Sequence, residues 1–383
     1  MNKLKKIISI LCIPALMLTI SVFTPVQALS AESITAPSAI LMDSASGQIL
    51  FEKESHESRP CASITKVMTL LLVFEAIDSG KISMDDMVSA SAHAASMGGS
   101  DIWLEEGEIM SVDDLIKATT VASANDAAVA LAEHISGSEE AFVEQMNQRA
   151  KELKMNETTF KNCNGLDEDG HVTSAYDVAV MSRELIKHEE IFDYCTIWMD
   201  TLRDGATQIV NTNKLLKTYN GITGLKTGTT DDAGCCISAT AERDGLKPIA
   251  VVLGAATGKE RFDDAAALLD YAFAGYASVA PQKPQDLPSV VEVSGAMSSE
   301  LPVELNLSGS FLVEKGKESE VVSKTTINEE ITAPVNKGDS VGKVEYYLND
   351  KLLGEYDITA CESAHEISFG AVFALLFSCL VQF

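Results

Sequence analysis

Pro60-Cys61-Ala62-Ser63-Ile64-Thr65-Lys66-Val67-Met68-Thr69-Leu70-Leu71-Leu72-Val73-Phe74-Glu75-Ala76-Ile77 is the stretch on which the fold turns. Proline biases its neighbours towards extended backbone. After it, Val67, Leu70, Leu71, Phe74 and Ile77 recur at the spacing of an amphipathic helix. The pattern predicts a core-facing helix with Ser63 at or just before its first turn. Lys66, three residues on, then shares a face with Ser63. A serine hydroxyl is a weak nucleophile until a base takes its proton. A lysine serves as that base once burial lowers its pKa, and a helix start offers N–H groups to a developing oxyanion. A capping serine beside a solvated lysine would be spelled the same way. The chain also repeats the tetrad, as Ser340-Val341-Gly342-Lys343 in a strand-like context. Ser-x-x-Lys alone therefore decides nothing.

Working outward, Ser38 to Lys53 reads strand, turn, strand, with Gly47 available for positive φ in the turn. Residues 80–200 are mostly helical in pattern. Ser111-Val112-Asp113-Asp114 resembles a capping box with Asp in place of Glu, and a helix is predicted over Ala175–Lys187. From Gln208 the period shifts to strands at Ile222–Thr229, Cys236–Ala241 and Pro248–Gly254, followed by a helix over Arg261–Phe273. Strands open and close this region and helices fill its middle. The expected class is α+β: an antiparallel sheet flanked by helices, with an inserted helical lobe. Pro281, Pro284 and Pro288 mark a linker over 281–288. Short strand-like runs between turn residues over 289–360 predict a small all-β sandwich.

The 383 residues carry a formal charge of −27. Lys3, Lys5 and Lys6 precede an apolar run from Ile7 to about Val22, then Pro25 and small-residue cleavage sites near Ala28. Residues 1–30 thus read as a signal peptide, with 31–280 as the first mature domain. Its removal makes the chain more acidic still, which argues against nucleic acid and against electrostatic docking to anionic lipid. Seven cysteines follow the leader at irregular spacing, which is no disulfide framework, and no Cys or His cluster has zinc spacing. Residues 361–383 end in an uncharged run from Ile367 to Phe383, read as a membrane-anchoring segment. As a helix that run is slightly short of a ~30 Å hydrocarbon core.

Two further motifs give the tetrad its meaning. Ser123-Ala124-Asn125 precedes an apolar helix. Its hydroxyl suits proton relay, and its amide suits orienting a lysine or binding a carbonyl. Lys226-Thr227-Gly228 lies on a predicted strand. There an ammonium, a hydroxyl and a glycine suit recognition of a carboxylate with close backbone approach. In this order the three match the S-x-x-K, S-D-N and K-T-G set of penicillin-binding proteins and β-lactamases, with Ala124 at the middle position of the second motif.

At these residues the chain resembles the low-molecular-mass penicillin-binding proteins that are serine-type D-alanyl-D-alanine carboxypeptidases. The resemblance spans about residues 35–360 and includes Asn164-Gly165-Leu166-Asp167, Thr173-Ser174-Ala175-Tyr176-Asp177 and Gly224-Leu225-Lys226-Thr227-Gly228. It implies a transpeptidase/β-lactamase-like domain followed by a small β domain. It further implies Ser63 as nucleophile, Lys66 as general base and Ser123 as proton relay. Asn125 would contact the substrate's amide side chain, and Lys226, Thr227 and Gly228 would line the site for the terminal carboxylate. The N–H groups of Ser63 and Thr229 would form an oxyanion hole, with Arg261 near the carboxylate end. Lys66 is expected to titrate low, buried beside Lys226. The implied substrate is a peptidoglycan stem pentapeptide ending in D-Ala-D-Ala. β-Lactams would be covalent inhibitors, no cofactor or metal is called for, and the enzyme would be exported and held at the membrane by its tail.

Other readings fit less well. A class A β-lactamase would need a Glu-x-x-Leu-Asn loop, and Glu157-Thr158-Thr159-Phe160-Lys161-Asn162 lacks it. A Ser-His-Asp hydrolase would show Gly-x-Ser-x-Gly. Gly254 to Lys259 has three residues between its glycines and Glu260 where a P-loop needs Ser or Thr. A catalytically silent wall-binding module would have no need of the intact nucleophile set.

Overall fold

A computed structural model describes residues 29–381. The expected leader therefore lies, except for its last two residues, outside the described part.

The chain opens with β1 (Ser38–Asp43) and β2 (Ile49–Lys53), followed by a 3-10 turn over Ala62–Thr65 that runs into α1 (Lys66–Asp78). β3 (Met87–Ser89), α2 (Ala92–Ala95) and β4 (Ile109–Ser111) form a small excursion before α3 (Val112–Lys117). A π turn over Ala118–Ala122 leads into α4 (Asn125–Ser136), α5 (Glu139–Glu152), α6 (Ala175–Leu185) and α7 (Ile191–Cys195). A hairpin of β5 (Met199–Leu202) and β6 (Thr207–Val210) and the short α8 (Leu215–Thr218) return the chain to β7 (Ile222–Thr230), β8 (Gly234–Ala241), β9 (Pro248–Ala255) and α9 (Gly258–Gly275).

β2-β1-β9-β8-β7 make one antiparallel sheet, with β7 at its edge. Both faces are covered. Ile40 and Met42 of β1 pack with α1 and α6, while Ala39 and Leu41 pack with α9. That is why β1 reads as an unbroken apolar run rather than an alternating one. α1 departs from the amphipathic expectation. Val67, Met68 and every residue from Leu70 to Phe74 are buried, so the helix is apolar all round and sits centrally between sheet and lobe. Ser111 does cap α3, its hydroxyl accepting from the Asp114 N–H at 3.1 Å.

β10 (Tyr276–Val279) pairs antiparallel with β13 (Phe311–Glu314), so pairing into the second sheet system begins before the proline cluster. There β11 (Val290–Glu292), β12 (Glu300–Leu305), β14 (Val322–Ile327), β15 (Ser340–Leu348) and β16 (Lys351–Ala360) form a sheet in the order β11-β12-β16-β15-β14. Its core gathers Val291, Leu301, Val344, Tyr346 and Ile358 against Phe311 and Val313. Val335 pairs with Ala364 beyond the last strand.

The chain ends in α10 (Phe369–Val381). Phe369, Phe373 and Phe377 stand exposed on one of its faces. Their rings stack at 6.2 and 6.4 Å. Among the described residues no helix is long and apolar enough to cross a membrane.

Candidate active site

Ser63 is the second residue of the 3-10 turn, and Lys66 opens α1. In a 3-10 turn residues three apart eclipse, so the pair meets: Lys66 Nζ lies 3.1 Å from Ser63 Oγ. The same Nζ donates to Asn125 Oδ1 at 2.5 Å and to the Asn164 carbonyl at 2.6 Å. Asn125 Nδ2 in turn donates to the Gly98 carbonyl at 2.6 Å, which fixes the amide's orientation. Both ends of the Asn125 side chain are thus engaged within the protein.

Lys66 is fully buried, and burial pushes its pKa down to about 7 against the opposing pull of Cys163, Asp126 and Cys61. A neutral lysine amine has two N–H bonds and one lone pair. Asn125 Oδ1 and the Asn164 carbonyl can only accept, so they take the two hydrogens. The lone pair is left facing Ser63 Oγ, the one neighbour able to donate.

The second pair stands opposite. Ser123 ends the π turn in left-handed backbone, φ 62° and ψ 29°. Single π turns and such strained residues gather at functional sites. Lys226, on edge strand β7, donates to Ser123 Oγ at 2.8 Å and to the Thr227 carbonyl at 2.9 Å. Its ammonium is pushed well below the usual lysine range, first by burial, then by the charges of Lys66 and Arg261. Burial is the largest cause of the lowering at both lysines, and the two ammoniums repel each other as expected. Thr227 Oγ1 shares a hydrogen bond with Thr212 Oγ1 at 2.6 Å. Arg261, buried in the first turn of α9, reaches over the sheet. Its Nη1 donates to the Gly228 carbonyl and Thr229 Oγ1, each at 3.0 Å, and to the Cys236 carbonyl at 3.3 Å.

Two glycines clamp the serine turn. A Cβ on Gly228 would stand 2.8 Å from the Cys61 carbonyl oxygen and 2.9 Å from Ser63 N. A Cβ on Gly165, at φ +86°, would stand 2.0 Å from the Ala62 carbonyl oxygen. The sequence supplies one reason for Gly228, room for a substrate backbone. The fold supplies a second: the strand must touch the serine's own turn.

The structure thus brings Ser63, Lys66 and Asn125 into one hydrogen-bonded group and Ser123 and Lys226 into a second beside it, with Gly228 against the serine turn. Thr227, Thr229 and Arg261 continue it along the edge strand. Sequence reasoning assigned no role to Asn164 or Asp126. Asp126 accepts from the N–H groups of Ile102 at 3.1 Å and Leu104 at 3.0 Å and so holds the 98–104 loop over Asn125. Its position in the first turn of α4 was the available signal. Asn164 acts through its carbonyl, which no side-chain pattern reveals. The site's cysteines are all reduced. Cys61, next to the serine turn, is a buried thiol that burial pushes up to about 11, so it packs as a small apolar residue.

A serine held by a buried lysine, facing a second serine–lysine pair on the edge of a helix-covered antiparallel sheet, defines the active-site-serine enzymes of transpeptidase fold. The chain belongs to the Peptidase_S11 family, D-alanyl-D-alanine carboxypeptidase, whose model matches residues 25–257. Residues 278–366 match the penicillin-binding protein 5 C-terminal domain. The D-alanyl-D-alanine carboxypeptidase DacF of Bacillus subtilis is 41% identical over 338 residues, 87% of each chain. Penicillin-binding protein 5 from Haemophilus influenzae superposes with a TM-score of 0.75 at 30% identity, covering 88% of this chain and 100% of that one. Penicillin-binding protein D2 from Listeria monocytogenes, in its ampicillin-bound form, superposes with a TM-score of 0.55 at 35% identity. It covers 63% of this chain and 98% of that one.

Proposed function

We propose that this D-alanyl-D-alanine carboxypeptidase works through a Ser63 acyl-enzyme, with the roles divided as follows. Neutral Lys66 takes the Ser63 proton as Oγ attacks the carbonyl carbon of the penultimate D-alanine. The oxyanion is held by the N–H groups of Ser63 and Thr229. Collapse of the adduct breaks the peptide bond. The Lys66 ammonium passes the proton it took through Ser123, which the Lys226 ammonium polarises, to the leaving amine, and so becomes neutral again. Water, deprotonated by Lys66, then hydrolyses the ester and restores Ser63. Lys226 and Thr227 bind the terminal carboxylate, and its negative charge favours the ammonium form of a lysine that burial otherwise disfavours. Arg261 braces the Gly228–Thr229 end of β7 and adds positive field there. Asn125 orients Lys66 and borders the substrate's amide.

The observation that carries this reading is the Lys66 amine, 3.1 Å from Ser63 Oγ and lowered to about 7. Ser63→Ala is expected to abolish both the covalent penicillin adduct and D-alanine release. Retained labelling in that variant would overturn it.

We further infer that the enzyme is exported by its N-terminal leader and attached to the membrane surface by its tail. The support is the exposed Phe369, Phe373 and Phe377 row on a 13-residue helix. At ~1.5 Å per residue that helix is about 20 Å long, which suits lying in the interface rather than spanning it. Peptidoglycan pentapeptide is the substrate on this reading, and the β domain is the spacer.

A further inference from the structure

The turn that carries Ser63 has a support that the reaction scheme does not use. Thr65 Oγ1 donates to the Ala62 carbonyl at 2.9 Å, and His171 Nε2 lies 2.7 Å from the same Oγ1. Lys161 N–H donates to the other ring nitrogen, Nδ1, at 3.2 Å. That bond makes Nδ1 an acceptor, so the ring's single hydrogen is on Nε2 and points at Thr65. Burial holds the imidazole neutral, pushing its pKa down to about 4. The direction of donation is therefore continuous: Lys161 N–H to His171, His171 to Thr65, Thr65 to the Ala62 carbonyl.

The Ala62 carbonyl and the Ser63 N–H belong to one peptide unit. A trans peptide is planar, with C=O and N–H pointing opposite ways. Fixing the carbonyl on one side fixes where the N–H points on the other. This unit has no regular helix to hold it: Ala62 sits at φ 51°, a conformation an alanine does not adopt unaided. Gly165 closes over the carbonyl and Gly228 lies against Ser63 N, so the plane has little room to turn; besides Thr65, the Cys61 thiol is the described donor to this carbonyl, a weak one at 3.7 Å.

We propose that His171 is a positioning residue for acylation: through Thr65 it locks the Ala62–Ser63 peptide plane so that the Ser63 N–H is aimed at the oxyanion. The inference rests on the reading of Ser63 as nucleophile and of its N–H as an oxyanion donor. It assigns a task to a histidine that touches neither substrate nor Ser63.

The test compares Thr65→Val, Thr65→Ser, His171→Leu and His171→Gln in the full chain. It measures the acylation rate constant with labelled penicillin separately from the preceding non-covalent affinity, per mole of folded enzyme. Loss of one oxyanion donor costs about 10²–10³ in rate, so a misaimed donor should cost on the order of 10- to 100-fold. Thr65→Val and His171→Leu are expected to lose that much in acylation with the non-covalent affinity nearly unchanged. Thr65→Ser keeps the hydroxyl and is expected to acylate within about 3-fold of the parent, by the size of one modest hydrogen-bond change. His171→Gln can accept from Lys161 and donate to Thr65, so it should recover most of what His171→Leu loses. A purely structural role would instead lower Tm and leave the acylation rate of the folded fraction intact, which would overturn the proposal. So would Thr65→Ser matching Thr65→Val. If Thr65→Val does not fold, the His171 pair decides: equal rates for Leu and Gln overturn the proposal. Ser63→Ala runs alongside. If it still forms the adduct, the nucleophile assignment has failed; if it does not, a normal rate in Thr65→Val or His171→Leu refutes only the positioning role.

Discussion

The chain spells Ser-x-x-Lys twice, and the two copies end up as different chemistry. Ser63 and Lys66 lie on a 3-10 turn entering a buried helix, where positions three apart face the same way. Ser340 and Lys343 lie on β15, where the extended backbone, at ~3.3 Å per residue, sets positions three apart roughly 10 Å from each other along the strand. Ser340 Oγ instead donates to Asp357 Oδ1 at 2.7 Å across the sheet. Lys343 Nζ is 2.7 Å from Glu355 and 3.1 Å from Glu345. The lysines diverge accordingly. Burial brings Lys66 down to about 7, and the hydrogen bonds that Lys343 donates to Glu355 and Glu345 hold it above its ordinary value. A nucleophile–base pair is a product of local geometry and burial, not of spelling.

The sharpest way to break this comparison is to treat both lysines alike. Lys66→Arg keeps the charge but cannot act as a base. It is expected to cut penicillin acylation by at least ~10³-fold, within the range general-base loss gives. Lys343→Arg should leave acylation unchanged. Equal effects at the two sites would end the distinction. Lys226→Arg, on the carboxylate side, should be milder than Lys66→Arg and should appear mainly in KM, since a guanidinium still binds a carboxylate. Steady-state kinetics on a D-Ala-D-Ala pentapeptide separates the two.

A pH profile sharpens the comparison next. Only the neutral Lys66 amine accepts the proton, so acylation should be low at acid pH, rise as pH passes about 7 and then level off. A profile flat through neutrality would mean that Lys66 is not the titrating base.

Gly228→Ala tests the packing beneath the chemistry. Its Cβ would meet the Cys61 carbonyl oxygen at 2.8 Å, a backbone atom that cannot swing aside. The expected cost is about 1–3 kcal/mol in unfolding free energy, as for other overpacking, together with reduced acylation because the serine turn must shift. An unchanged Tm with full activity would show that the clamp is loose. The smallest effect on catalysis belongs to the tail. Deleting 368–383, beyond the last residue bonded into the second domain, should leave kcat and KM unchanged while moving the protein from the membrane to the soluble fraction. Continued membrane fractionation would place the anchor elsewhere, and failure to fold would make the tail part of the second sheet.

Much of the fold was legible because the relevant signals are local. The β1–β2 hairpin, the three strands after Gln208 and the helix at Arg261 announce themselves by period and turn residues, and each appears within a few residues of its expected place. α1 was legible as a helix, but its full burial was not. Val67, Leu70 and Phe74 mark one buried face, and only the helical lobe packed on the other side explains Met68, Leu72 and Val73. The β5–β6 hairpin and the β3–β4 pair were missed because strands of three or four residues carry too little alternation to register.

The letters and order of Ser63-x-x-Lys66, Ser123-x-Asn125 and Lys226-Thr227-Gly228, and the element each would occupy, were determined by the sequence alone, because nucleophile spacing, capping and strand period act over a few residues. Tertiary structure decided the rest. The bonds that set Lys66 as a base join it to residues 59 and 98 positions away. The bond between Lys226 and Ser123 spans 103. Burial, which lowers both ammoniums, belongs to no single segment. Which tetrad became a site, why Gly228 must lack a side chain, and what the His171–Thr65 contact holds in place all depend on chain segments that meet only after folding, since desolvation and hydrogen-bond geometry are properties of the packed site.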